Sequence, residues 1–248
     1  MQYADYLERV LYNTILAVKL PDSNGGYPYY STYSAAANKV YYQRKWPCCS
    51  GTLAQTVADY PLNIYMQTDR GLDVNLFTGS QVSWQQGDAT LTLRQETEYP
   101  TGDRVLLRFK ASKPTEFTLN VRVPSWVANR IPFKVNGKSS ALGRPGTYAT
   151  VRRVWSSGDT VEFNVPQAFR TEAIDDMHPE TVALMRGPVQ YVALNLSADV
   201  SRNTAALPAS LKGSGDATFT ENYSGRQVVF VPFFRTQNET YTTYFSKA

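Results

Sequence analysis

The sequence predicts a protein of mixed α and β structure, mainly β, in which two short helices precede an antiparallel β-sandwich region. Three observations carry this. Helical spacing of apolar residues is confined to the first part of the chain, before about residue 63. From there on, short segments of alternating or β-rich character follow one another. Gly, Pro, Asn and Asp separate them at short intervals, the pattern of a sandwich rather than of a wound α/β fold.

Residues 2–18 place Tyr3, Leu7, Val10, Leu11, Thr14, Ile15 and Val18 at helical spacing, so a helix with one apolar, buried face is expected. Pro21-Asp22 and Asn24-Gly25-Gly26 end it and make a turn. Residues 27–47 carry tyrosines at 27, 29, 30, 33, 41 and 42 without a helical period, and read as a structured loop with short extended pieces. A second helix is predicted to begin near Ser50, a good N-cap, and to run through Leu53, Val57 and Ala58 towards Pro61. Two short helices cannot enclose a core alone; they need a sheet or further helices.

The strands begin at Ile64-Tyr65-Met66. The turn Asp69-Arg70-Gly71 and the alternating run from Leu72 to Phe77 complete a hairpin. Further strands are expected at 89–98, 104–111, 116–123, 133–136, 147–154, 160–165, 181–185, 190–194, 227–231 and 240–245. Segment 197–217, with Pro208 and Gly213-Ser214-Gly215, reads as a long exposed loop. No period indicates a repeat or propeller architecture.

The net charge of +4 is scattered, with no Lys/Arg run longer than two, so nucleic acid is not an expected partner. No apolar run approaches a transmembrane helix, so no membrane partner is expected either. The first residues show no charged region followed by an apolar stretch, and the sequence therefore assigns no compartment. The 17 tyrosines, with 4 Trp and 11 Phe, admit two readings. They suit sheet packing, the reading the counts favour, and they also suit a surface that stacks on sugar rings.

The chemistry concentrates at Cys48-Cys49, the only two cysteines. Neighbouring cysteines do not readily bridge, because the ring around one peptide bond is strained. The pair is therefore either two inert thiols or a reactive or metal-binding site. A predicted helix start beside them, and Arg44 and Lys45 just upstream, would favour the thiolate. Zinc takes thiolates but needs about four donors, or three plus a water. The single histidine, His178, reads as an ordinary loop residue, so this chain offers half of a zinc site. No Gly-rich phosphate loop, His-Glu-x-x-His or Gly-x-Ser-x-Gly competes.

Lys45-Trp46-Pro47-Cys48-Cys49-Ser50-Gly51-Thr52, followed by Gly71-Leu72-Asp73-Val74-Asn75-Leu76-Phe77, resembles glycoside hydrolase family 127, the β-L-arabinofuranosidase-like proteins. Val121-Arg122-Val123-Pro124-Ser125-Trp126, Val135-Asn136-Gly137, the run from Trp155 to Val161, the run from Thr181 to Pro188, and Val231-Pro232-Phe233-Phe234 follow in the family's order. The resemblance implies the C-terminal end of an (α/α)6 barrel over residues 1–62, carrying the Cys-Cys motif, and a β-sandwich region over 63–248.

It implies also a retaining glycosidase for L-arabinofuranosides or related plant sugars. Zinc would be held by Cys48, Cys49 and a Glu-x-Cys element, Cys48 would be the nucleophile, and an upstream glutamate the acid/base. The tyrosine-rich segment matches a family region that lends an aromatic group to the sugar pocket, which makes Tyr30 and then Tyr29 candidates for substrate binding. Trp46 could shield the metal or fill core. Before Cys48 this sequence has no third cysteine, and its one glutamate there is Glu8, outside any Glu-x-Cys context. The chain is accordingly expected to be the C-terminal portion of a longer enzyme, inactive when isolated, with the missing barrel portion as a partner. The alternative is a non-catalytic carbohydrate-binding or interaction sandwich.

Overall fold

The computed structural model describes residues 2–18, 27–42, 49–196, 209–223 and 225–246. In chain order the elements are α1 (Gln2–Val10), β1 (Tyr27–Ser31), β2 (Lys39–Tyr42) and α2 (Cys49–Asp59). Next come β3 (Tyr65–Thr68), β4 (Gly71–Val74), β5 (Ser80–Gln86), β6 (Ala89–Thr97), β7 (Arg104–Ala111) and β8 (Thr115–Val123). Then follow β9 (Ile131–Val135), β10 (Lys138–Gly143), β11 (Thr147–Trp155), β12 (Thr160–Asn164), β13 (Phe169–Ala173) and β14 (Thr181–Arg186). The last are β15 (Val189–Leu194), β16 (Lys212–Gly215), β17 (Thr218–Tyr223), β18 (Arg226–Pro232), β19 (Tyr241–Thr242) and β20 (Tyr244–Ser246). The chain divides into two compact units, Met1–Glu8 with Val57–Gln167, and Arg9–Thr56 with Ala168–Ala248.

The first unit is a sandwich of a six-stranded sheet, ordered β10-β9-β12-β7-β6-β5, and a four-stranded sheet, ordered β11-β8-β4-β3. Every pairing is antiparallel except β4 with β8. Strand alternation supplies the core: Leu91 and Leu93 on β6, Leu107 and Phe109 on β7, and Leu119 and Val121 on β8 are all buried. Between the sheets Phe109 lies 4.4 Å from Trp155 and 6.0 Å from Phe117, centroid to centroid, and Trp84 meets Phe117 edge-on at 5.4 Å. These four aromatics thus fill the core of the sandwich.

The Gly-containing motifs are structural. Gly71 has φ +152°, and a Cβ there would sit 2.0 Å from the Thr118 carbonyl oxygen; only glycine lets β4 approach β8 so closely. The Asn136-Gly137 turn uses positive φ at both residues. Asp159 closes the turn after β11, its Oδ1 accepting from Asn136 Nδ2 at 2.6 Å and its Oδ2 from the Ser156 N–H at 2.8 Å.

The second unit holds an eight-stranded sheet, with the path β13-β14-β15-β18-β17-β16 and β19 and β20 pairing β15 and β14. The β1–β2 pair forms its own two-stranded sheet, so the predicted extended pieces of the tyrosine-rich segment pair with each other. Ala17, Ala37, Val192, Val231, Phe233 and Tyr241 pack into one cluster. Lys39 ties this cluster together. Its buried Nζ donates to the carbonyls of Ala17 and Thr236, both at 2.7 Å, and of Phe233 at 3.3 Å. Burial pulls its pKa down to about 8, which leaves the ammonium and its three donors intact at neutral pH.

Two expectations differ from the structure. Residues 2–10 are α-helical, but Leu11–Ile15 widens into a π-helical turn and Leu16–Val18 tightens into a 3-10 turn. The buried residues of this stretch are Glu8, Leu11, Tyr12 and Ala17, whereas Tyr3, at the head of the expected apolar face, is 80% exposed. The change of helical pitch rotates the face after Val10, and a specific set of partners draws Glu8 inward. In the expected loop 197–217, residues 197–208 lie outside the described residues, and Lys212–Gly215 forms β16 against β17.

Candidate active site

α2 begins at Cys49, one residue before the expected Ser50 cap. Cys49 is thus the first residue of α2. Cys48 and Trp46 lie outside the described residues, as do Arg44 and Lys45. Tyr29 and Tyr30 are on β1: Tyr30 pairs with Val40, Pro28 with Tyr41, and the register shifts between them at Tyr29. A bulge of this kind inserts one unpaired residue and bends the strand locally.

The one glutamate ahead of the cysteine pair is committed elsewhere. Glu8 is 1% exposed, and both of its oxygens are engaged. Tyr99 Oη donates to Oε1 at 2.8 Å, Arg122 Nη2 lies 2.6 Å from the same oxygen, and Trp126 Nε1 donates to Oε2 at 3.1 Å. Asp5, one turn earlier, accepts from Arg122 Nη1 and from the Ser125 backbone N–H. Arg122 itself is fully buried and also donates through Nε to the Asn75 carbonyl. Burial alone would depress its pKa, but Glu8, Tyr99 and Asp5 outweigh that and hold it above the ordinary arginine value. Tyr60 is pushed up by burial and by the Glu8 charge. Glu8 is thus one arm of an ion-pair clasp and is not available as a general acid.

This clasp is what sequence reasoning missed. Alternation along β8 buries Val121 and Val123, so Arg122 between them reads as a solvent-facing residue. The signal was the tryptophan four residues on and the serine before it, both of which deliver N–H groups to the acidic residues of α1.

His178 is exposed, and its Nδ1 lies 2.8 Å from Asp175 Oδ1, which also accepts the backbone N–H groups of Met177 and His178. The His178 bond holds the Asp175 carboxyl below its usual range. This is a turn closed by an aspartate, in keeping with the loop reading. Among the described residues no group of three or more His, Cys, Asp or Glu could hold a metal ion. A complete zinc centre is therefore not built from them; Cys48 and Cys49 offer the donor type zinc prefers in half the number it needs. Among the described residues no helix is long and apolar enough to cross a membrane, which says nothing of strands.

Two family models match the chain consecutively. Residues 1–62 match the beta-L-arabinofuranosidase GH127 catalytic domain, and residues 71–167 the GH127 middle domain. This chain is a GH127-like protein. The catalytic-domain match contains both cysteines, and the middle-domain match covers the strands of the sandwich from β4 to β12.

Solved structures agree in fold. A GH127 beta-L-arabinofuranosidase from Geobacillus stearothermophilus T6 matches with TM-score 0.77 and 23% identity, covering 100% of this chain and 46% of its own. The GH127 beta-arabinofuranosidase BT3674 matches with TM-score 0.80 and 19% identity, covering 100% and 46%. A protein described as a glycoside hydrolase matches with TM-score 0.76 and 22% identity, covering 100% and 48%. This GH127-like chain thus spans about half the length of the structures it matches. Its fold is the end of a barrel followed by β-sandwich structure. A comparison with curated proteins gives no match.

Proposed function

We propose that this chain carries the nucleophile and two metal ligands of a retaining glycoside hydrolase acting on L-arabinofuranosides or related plant sugars. The observation that supports this most is the catalytic-domain match over residues 1–62, which takes in Cys48-Cys49 beside the start of α2. In this reading Cys48 Sγ attacks the anomeric carbon while an acid protonates the departing oxygen, and water then displaces the sulfur with overall retention. Cys49 is the second thiolate donor. Zinc, held by both sulfurs and the further donors a tetrahedral centre requires, would keep them ionised at neutral pH. Trp46, Tyr30 and Tyr29 are proposed to line the sugar site.

Glu8 is excluded from the acid/base role by its clasp with Arg122. The family resemblance implies that the acid/base is instead a carboxyl from a barrel portion ahead of this region. Complementation tests this. The chain is assayed on an aryl β-L-arabinofuranoside alone and after mixing with the preceding barrel half of a GH127 relative. Hydrolysis is expected only in the mixture and only with Cys48 present. Turnover that survives Cys48→Ala removes the proposal.

A further inference from the structure

The outer face of the six-stranded sheet holds a groove of about 480 Å3 with an excess of positive charge. Gln81, Thr92, Arg94, Arg108 and Lys110 line it together with one carboxylate, Glu96. Arg94 and Arg108 stand directly opposite each other across β6 and β7, and Lys110 is the next residue on the same face, opposite Thr92. Like charges placed directly opposite destabilise a sheet. The fold does not require them here, because the core is made by the alternating neighbours Leu93, Leu107 and Phe109.

Further along this face Arg104 Nε is 2.6 Å from Glu162 Oε1, with Lys134 directly opposite Glu162. In the groove three cations meet a single carboxylate. Glu96 bridges the arginines, Oε1 lying 3.4 Å from Arg94 Nε and Oε2 3.1 Å from Arg108 Nε.

We propose that this groove docks a polysaccharide bearing carboxylates, a polyuronate chain. Glu96 shows that a carboxylate can reach both guanidinium groups at once, hydrogen-bonded to Arg108 Nε and ion-paired with Arg94 Nε. Gln81 and Thr92 place an amide and a hydroxyl beside the cations, suited to the neutral hydroxyls of a sugar. Single-stranded nucleic acid fits less well, since such sites add exposed aromatic platforms to the basic groove, and the groove's one aromatic, Phe109, is buried in the core. The site is independent of the cysteine chemistry and stands or falls separately from it.

The test is affinity electrophoresis of the full chain in gels containing polygalacturonate, its methyl ester, heparin or single-stranded DNA, at low and raised salt. Polygalacturonate is expected to retard the protein, raised salt and esterification to abolish the effect, and heparin and DNA to act more weakly. The double substitution Arg94→Gln with Arg108→Gln should weaken binding at least about tenfold, the equivalent of one charge-assisted hydrogen bond. Both residues are exposed, so circular dichroism and Tm should not fall. Glu96→Gln, which adds net positive charge, should strengthen binding; a merely structural role for Glu96 would not do that. Absence of retardation, equal or stronger retardation by heparin or DNA, or indifference to both sets of substitutions overturns the proposal.

Discussion

Arg122 on β8 and Glu8 on α1 lie 2.6 Å apart, and neither side chain is more than 1% exposed. Taking two charges out of water costs several kcal/mol per ion, so such a pair persists only when its remaining donors and acceptors are met. Here Asp5 and the Asn75 carbonyl take Arg122 Nη1 and Nε, and Tyr99 and Trp126 serve the two Glu8 oxygens, while Arg122 Nη2 meets Glu8 as an ion pair without a hydrogen bond. The Val-Arg-Val-Pro-Ser-Trp motif is therefore a receptor for the acidic turn of the first helix. Arg122→Met should cost about 3–5 kcal/mol, because two carboxylates lose their cation, and Tyr99→Phe about 1 kcal/mol. Urea unfolding followed by tryptophan fluorescence measures both.

Gly71→Ala should be destabilising by about 1–3 kcal/mol or more, since the new Cβ meets backbone that cannot yield. Gly137→Ala, at a positive φ but with no neighbouring atoms in the way, should cost less. Comparing the two melting temperatures checks whether close approach or turn strain dominates.

Lys39→Met should destabilise the second unit by about 1–3 kcal/mol. It keeps the apolar stem but leaves the carbonyls of Ala17, Phe233 and Thr236 without their shared donor. Hydrogen exchange should then quicken around Ala17 and Thr236.

Glu172 gives a pH dependence. Burial alone would raise its pKa, but hydrogen bonds and charge from Arg9, with help from Arg170, hold it below the ordinary glutamate value. A folded pKa below the unfolded one means stability that is present above the unfolded pKa and lost as pH falls through the folded value. Glu172→Gln should remove that acid-side loss. Melting curves of wild type and variant should therefore differ most above the glutamate range and converge below it.

Much of the fold was legible because apolar strand segments and turn chemistry coincide. Arg104–Ala111 is rich in apolar residues, turns flank it, and it forms β7 over the predicted span. Ser80–Gln86 was not legible: only Val82 and Trp84 are apolar, and the strand is specified by its neighbour β6 rather than by its own pattern. Lys212–Gly215 has no apolar side chain and becomes a strand only through pairing with β17. For the candidate site, the helix start beside the cysteines was readable within one residue. The role of Glu8 was not, because a glutamate on an amphipathic helix gives no local sign that a buried arginine more than a hundred residues later will claim it.

The central claim, a sugar-bearing nucleophile at Cys48, is tested most directly by peptide mass spectrometry of the complemented enzyme, acid-quenched during turnover of an aryl β-L-arabinofuranoside. The account predicts one pentosyl group on the peptide containing Cys48 and Cys49, lost in Cys48→Ala and retained in Cys49→Ala if that variant still turns over. An active mixture whose cysteine peptide stays unmodified, with the pentosyl group on a carboxylate instead, would contradict it.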